Sequence, residues 1–235
     1  MGVGSFFAKQ NHQTNVLINE NILIDCGMTA GRSLHDRSRN FGQIDHLFLT
    51  HTHADHIGGI EECAFYCKYL SGGHKPDLYL PSPLGGVLWE HSLQGGLRDV
   101  ETGALGLDYY FNVIEVDHEF EIDGVAFEIV PTVHVADKFC CGLKINNTVY
   151  FSGDTRFDPE MILEQGEDAE IIYHDCQFFT GGIHASLDEL ETLPEHIRKK
   201  IWLMHYSDDF AAHSDRAKQL GFRWARQHEV YRFNG

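Results

Sequence analysis

The chain has no long hydrophobic run. Nowhere in its 235 residues does it approach the ~18–20 consecutive apolar residues of a membrane-spanning helix. That absence argues against a membrane protein, and the opening MGVGSFFAKQ lacks the apolar core of a secretory signal. Basic residues are scarce: 18 Lys and Arg stand against 35 Asp and Glu, for a net charge of −17. Gripping a nucleic-acid polymer or an anionic membrane takes a basic face, so both partners are disfavoured. A small anion is not, because bound metal ions reverse the sign locally. Prolines number six, and no Pro/Ser-rich linker, repeat or low-complexity tract divides the chain. The six cysteines, Cys26, Cys63, Cys67, Cys140, Cys141 and Cys176, give neither the density of a disulfide scaffold nor paired CxxC knuckles. Reduced core thiols in a cytoplasmic protein are expected.

What is present suits one folded domain over 1–235, with 43% hydrophobic residues to fill a core. Strands alternate with helices. Apolar runs at 14–18 and 21–25 flank an Asn19-Glu20 turn and predict a hairpin. A helix is expected over 29–39, a buried strand over 44–50 and a helix over 54–70. The stretch at about 71–108, with Pro76, Pro81, Pro83 and SLQGGLRDVETGALG, reads as an irregular lid or dimer segment. Strands follow at 110–116, 125–131, 139–145 and 148–152, then a helix at 158–164 and a strand at 170–174. A strand at 200–204, a helix at 208–220 and a last strand at 230–233 complete the pattern. This α/β (α+β) order predicts two mixed sheets packed face to face with outer helices.

Histidine is abundant, 16 in all, and THTHADHIGG (50–59) concentrates His51, His53, Asp55 and His56 directly after a strand. Alternate residues of an extended strand end point the same way, so His51 and His53 can chelate one ion. Asp55 and His56, on the turn into a helix, are offset toward a second. Gly58 and Gly59 let that helix start pack close to the site. Imidazoles with carboxylates suit zinc, with manganese or iron also compatible. Cys63 and Cys67, four apart on a helix, lack further metal-binding partners and read as packing.

HTHADH resembles the HxHxDH signature of the metallo-β-lactamase superfamily, and the resemblance continues through PTVHVAD (His134), YFSGDTRF (Asp154) and WLMHYS (His205). It implies a four-layer αβ/βα sandwich and two Zn2+ ions per subunit, with Mn2+ as the alternative. His51, His53 and His134 would hold one ion, Asp55, His56 and His205 the other, and Asp154 would bridge; Asp55 is also carried as a catalytic group. HDCQFFTGGIHAS resembles the segment of RNase Z-like phosphodiesterases in which an acidic residue orients a proton-donating histidine. By that likeness Asp175 and His184 are the catalytic pair.

A tRNA 3′-processing endonuclease of this branch carries an RNA-gripping arm between the third and fourth motifs, but only 20 positions separate His134 from Asp154. With the acidic charge, this disfavours a polymer substrate. LIDCG, HTHADHIGGIEE, WEHSLQGGLR and the HDCQ–IHAS pair resemble the anti-Pycsar family, phage and bacterial enzymes that degrade cyclic mononucleotides. That implies a homodimeric phosphodiesterase converting cyclic mononucleotides such as cCMP, cUMP, cAMP and cGMP to 5′-monophosphates. A partner-subunit loop would close the pocket, with Ser92–Arg98 the expected segment; Ser92, Gln94 and Tyr109 are expected substrate contacts. Trp89, His91, Tyr110 and Phe111 are further aromatic or imidazole candidates for base stacking, with core or dimer-interface packing the alternative for these and for Tyr109. Family members usually start with a strand upstream of the GVGS turn, so a shortened first strand or an incomplete start is expected here. The alternatives are tRNA 3′ processing, a lactone or thioester hydrolase of the same fold, and a protein that sequesters a nucleotide uncleaved.

Overall fold

The computed structural model describes residues 1–100 and 103–232. They form two compact units: residues 1–2 with 12–117, and residues 3–11 with 118 onward.

The first unit is built on a five-stranded sheet. Strands β1 (Val16–Ile18) and β2 (Ile22–Ile24) make the expected antiparallel hairpin. Asn19 and Glu20 have φ of 46° and 69°, the positive pair of a tight turn that matches the strand twist. Ahead of the hairpin, Gly2 pairs with Asn15 through a single bridge. Beyond β2, the strands β3 (His46–Phe48), β4 (Asp77–Pro81) and, after the short β5 (Asp99–Val100) and β6 (Gly103–Ala104) pair, β7 (Asn112–Val116) add in parallel. Strands of a parallel sheet are covered on both faces, and all of β2 is buried. Around it pack helix α1 (Ala30–Asp36) and a helical stretch made of α2 (Ala54–Ile57), α3 (Ile60–Phe65) and a π-turn at Tyr66–Leu70.

The segment at 71–108 is more regular than expected among its described residues. It holds β4 inside the sheet, then a 3-10 turn (Ser82–Leu84), α4 (Gly85–Leu88), a π-turn (Trp89–Leu93) and α5 (Gln94–Leu97). Leu84, Leu88, Leu93 and Leu97 are buried. The five-residue step from Leu88 to Leu93 would rotate off a plain α-helical stripe, and the wider π-turn restores the face. Four glycines in this stretch hide its helical character from propensity. Ser92–Arg98, expected as a loop, is therefore largely helical.

In the second unit a seven-stranded sheet runs β14-β13-β12-β11-β10-β9-β8. Its members are β8 (Glu119–Ile122), β9 (Val125–Thr132), β10 (Cys140–Ile145), β11 (Val149–Phe151), β12 (Ile171–Asp175), β13 (Ile201–Met204) and β14 (Arg223–Trp224). Pairing is antiparallel from β8 to β11 and parallel from β11 to β14. β8 was not expected; the Asp123-Gly124 turn that pairs it to β9, with φ of 51° and 80°, was its signal. Helices α6 (Pro159–Asp168), α7 (Leu187–Leu190), α8 (Glu195–Arg198) and α9 (Phe210–Gln219) connect the parallel strands. The last strand lies at Arg223–Trp224; the expected one at 230–233 is unpaired over 230–232, and Phe233 lies outside the described residues. No helix among the described residues is long and apolar enough to cross a membrane.

Candidate metal centre

In the first unit the donor loop is shaped by a residue that the sequence reading missed. Asp25 follows β2, is fully buried and has φ of 60°, a left-handed conformation that aspartate tolerates better than most residues with a Cβ. Its carboxylate accepts from the Thr50 backbone N–H (2.8 Å) and from the Thr50 hydroxyl (2.9 Å). It also accepts from His56 Nδ1 at 2.7 Å. One buried anion thus ties the end of β2 to both ends of the His51–His56 loop. The signal was an aspartate closing an apolar strand, where nothing but a network would hold a charge.

Close backbone approach completes the loop. A Cβ at Gly27 would fall 1.8 Å from the Asp55 carbonyl oxygen, and one at Gly59 would fall 2.4 Å from that of Gly27. Gly59 therefore does what its position predicted, and Gly27 is its unforeseen counterpart. His53 occupies the N-cap position of α2 through its backbone, placing Asp55 and His56 in the single turn that follows.

The hydrogen bonds fix the tautomers. The Thr50 hydroxyl gives its proton to Asp25, so its oxygen receives His51 Nδ1–H at 3.0 Å. Asp25 likewise takes His56 Nδ1–H. The lone pairs of both imidazoles then lie on Nε2: that of His51 is 3.1 Å from His53 Nδ1, and that of His56 is 3.5 Å from Asp55 Oδ2.

The second unit repeats the logic at strand ends. His134 lies just past β9, Asp154 past β11, Asp175 ends β12, and His205 lies past β13; all four are buried. His134 Nδ1 is 2.7 Å from the Ile183 carbonyl, which can only accept, so its lone pair sits on Nε2, 3.8 Å from Asp154 Oδ2. Burial holds the His134 pKa below the ordinary histidine value. His205 Nε2 approaches the same carboxylate oxygen at 3.3 Å, from a backbone at φ 56°. His184, on the loop after β12, sets Nδ1 2.7 Å from Asp175 Oδ2 and 4.0 Å from Asp154 Oδ2. Burial pushes the Asp175 pKa up, but hydrogen bonds and charge from His174 and His184 outweigh it and leave a carboxylate of lowered pKa. Thr155 N–H adds a 3.1 Å bond to it.

In each unit, then, buried imidazole nitrogens and carboxylate oxygens approach one another at 3.3–3.8 Å. Imidazole with carboxylate is a donor set for divalent metal. The residues fit the metals that the motifs imply.

The other expected contacts belong to the first unit. Tyr110 and Phe111 are core residues at 1% and 0% exposure, which decides for packing over base stacking. Tyr109 meets Tyr110 edge-on and lies under the Lys68 ammonium at 3.9 Å. Trp89 packs against the core of the first unit. Ser92 and Gln94 belong to the helical turns of 89–97.

Among solved structures, a diphosphatase of the PhnP family superposes with a TM-score of 0.78 at 19% identity, over 99% of this chain and 96% of that one. The Bacillus subtilis metallo-β-lactamase fold protein YhfI gives 0.73 at 17% identity, over 98% and 97%. The fold is that of the metallo-β-lactamases. Curated relatives include "Anti-Pycsar protein Apyc1" of Paenibacillus xerothermodurans, 39% identical over 99% of this chain and 96% of the relative. That of Bacillus phage BSP38 is 40% identical over 89% and 88%. Family and donor set together make the chain a metal-dependent hydrolase. The family model for anti-Pycsar protein Apyc1 matches residues 1–231, and the chain belongs to that family.

Proposed function

We propose that the chain hydrolyses 3′,5′-cyclic mononucleotides (cCMP, cUMP, cAMP and cGMP among them) to 5′-monophosphates. It does so as a homodimer in the bacterial cytoplasm, removing the signal on which Pycsar defence depends. Two zinc ions per subunit serve it, with manganese as the alternative. His51, His53 and His134 would hold one ion, Asp55, His56 and His205 the other, and Asp154 both. Bound there, divalent cations supply Lewis acidity, lowering the pKa of water and offsetting phosphate charge. Ser92, Gln94 and Tyr109 are assigned to further substrate contacts.

The observation that carries this reading is the His184–Asp175 pair. Its 2.7 Å bond consumes Nδ1–H, so any proton His184 delivers leaves from Nε2. The side chain keeps 19% exposure while Asp175 has 1%, so the imidazole reaches a substrate and its orienter does not. Asp175, held ionised, favours the charged imidazole. Protonating the leaving O3′ takes such a group, and departure of O3′ leaves the phosphate on C5′. Hydrolysis of a lactone or thioester predicts indifference to His184.

The test is chromatography of zinc-loaded protein incubated with cCMP, cUMP, cAMP, cGMP, a cyclic dinucleotide, a precursor tRNA and a lactone. The expected result is 5′-monophosphate from the cyclic mononucleotides, abolished by EDTA. Cleavage of the tRNA or lactone alone, or intact nucleotide recovered from a stoichiometric complex, overturns the proposal.

A further inference from the structure

His174 is a buried imidazole that neither metal binding nor proton transfer uses. It lies on β12 one residue before Asp175 and is 0% exposed. Its Nδ1 is 2.9 Å from the Asp175 backbone carbonyl. A carbonyl only accepts, so Nδ1 carries the proton and Nε2 the lone pair. That Nε2 is buried and has no hydrogen-bond partner among the described residues. Burying a polar atom unpaired costs stability, and an apolar side chain here would avoid the cost. Packing alone therefore does not account for a histidine at this position.

The Nδ1 end supplies the reason. The same nitrogen lies 3.1 Å from Asp175 Oδ1, so one N–H faces both the carbonyl and the carboxylate of the next residue. The other carboxylate oxygen, Oδ2, accepts from Thr155 N–H at 3.1 Å and from His184 Nδ1 at 2.7 Å. Among the described residues nothing but His174 approaches Oδ1 as a donor. The carboxylate is thus held at both oxygens, which stops its rotation about the Cβ–Cγ bond with Oδ2 toward His184. Its backbone is tied as well, because Asp175 N–H donates to the Ser152 hydroxyl at 3.1 Å. Burial works against the charge on Asp175, while His174 and His184 sustain it.

We propose that His174 is a positioning residue for the reaction: it fixes the Asp175 carboxylate from behind, so that Asp175 in turn aims Nε2–H of His184 at the leaving oxygen. This deepens the cyclic-nucleotide reading above and rests on it. His174 acts through Asp175 and His184, so its weight falls on the delivery of the proton. A substrate whose leaving group departs without a proton should need it far less.

The experiment measures zinc-loaded wild type, His174→Leu and His174→Asn on cAMP and on bis-p-nitrophenyl phosphate. O3′ leaves as a poor alkoxide unless it is protonated, whereas p-nitrophenolate is a stable anion that draws little on a general acid. On cAMP, His174→Leu should lower kcat about 10- to 100-fold, the scale of a 1 Å misplacement, with KM near the wild-type value. On bis-p-nitrophenyl phosphate the loss should be several times smaller. His174→Asn, whose side-chain amide N–H can replace Nδ1–H, should restore most of kcat, and metal content should match wild type throughout. Should His174→Leu not fold, His174→Phe, which keeps a ring and removes the N–H, takes its place with the same expected results. Equal losses on the two substrates, or a wild-type kcat for cAMP in the apolar variant, overturns the proposal. Should wild type turn over no cyclic nucleotide, the parent reading fails, and the positioning role is decided without turnover by proton NMR. The downfield His184 Nδ1–H resonance, identified by its loss in His184→Ala, should vanish or move upfield in the apolar variant and return in His174→Asn. An unchanged resonance refutes the role.

Discussion

Asp25–His56 in the first unit and Asp175–His184 in the second are the same bond, carboxylate Oδ2 to imidazole Nδ1 at 2.7 Å, put to two uses. In the first pair both side chains are 0% exposed; in the second the imidazole keeps 19%. A sealed imidazole with a protonated Nδ1 can offer its Nε2 lone pair only to something already inside, which suits the metal-ligand role proposed for His56. A partly exposed imidazole can exchange its Nε2 proton with substrate and water, which suits the acid role proposed for His184.

The sharpest way to break this comparison is to remove each imidazole. His184→Ala should lower kcat by roughly 10²–10⁴-fold, the usual weight of a positioned proton donor, with metal content unchanged by elemental analysis. His56→Ala should lose activity and metal together. Equal metal loss in the two variants would erase the distinction. A step smaller, the orienting acids can be neutralised. Asp25→Asn should weaken metal affinity about 10- to 100-fold, as loss of an outer-shell partner does, read by competition with a chelator. Asp175→Asn should spare affinity and lower kcat.

A third, milder test uses acid on metal-free protein. Burial depresses the His134 pKa in the folded state, so below the unfolded value of about 6.5 the unfolded chain binds the proton more tightly. The contribution is complete above that pH and lost as pH falls through the folded pKa. Asp175, also depressed, behaves likewise in a lower window, below about 3.9. Thermal melts from pH 8 to 5 should therefore drop, and less so in His134→Gln. The smallest expected effect is at the thiols. All six cysteines are free and buried, and burial raises the Cys26 and Cys176 pKa values. A thiol reagent should find almost no reactive group until denaturant is added.

The candidate donors were legible in the sequence because metal chemistry restricts residue type, and strand ends restrict place. His51, His53, Asp55 and His56 lie at the mouth of β3, and His134, Asp154 and His205 past three strands of the other sheet. The hairpin at Asn19-Glu20 was legible because its turn demands positive φ. Asp25 was not, since its role depends on Thr50 and His56, 25 and 31 positions away. The helical turns of 82–97 were concealed by glycines whose low propensity is overridden by four buried leucines, and β8 by its charged residues. Tyr110 and Phe111 show the converse failure: an aromatic cluster does not reveal from sequence whether it faces a ligand or the core.

His205 bears on how such a protein can change over time. Its backbone sits at φ 56°, where glycine rests without strain and asparagine with little. Neither brings an imidazole to Asp154. With His205 as the donor proposed above, any substitution that relaxes the chain there also disarms it, so selection for a sturdier fold and selection for a working enzyme favour different residues at this position. A relative that has given up catalysis is free to settle the conflict in favour of glycine or asparagine.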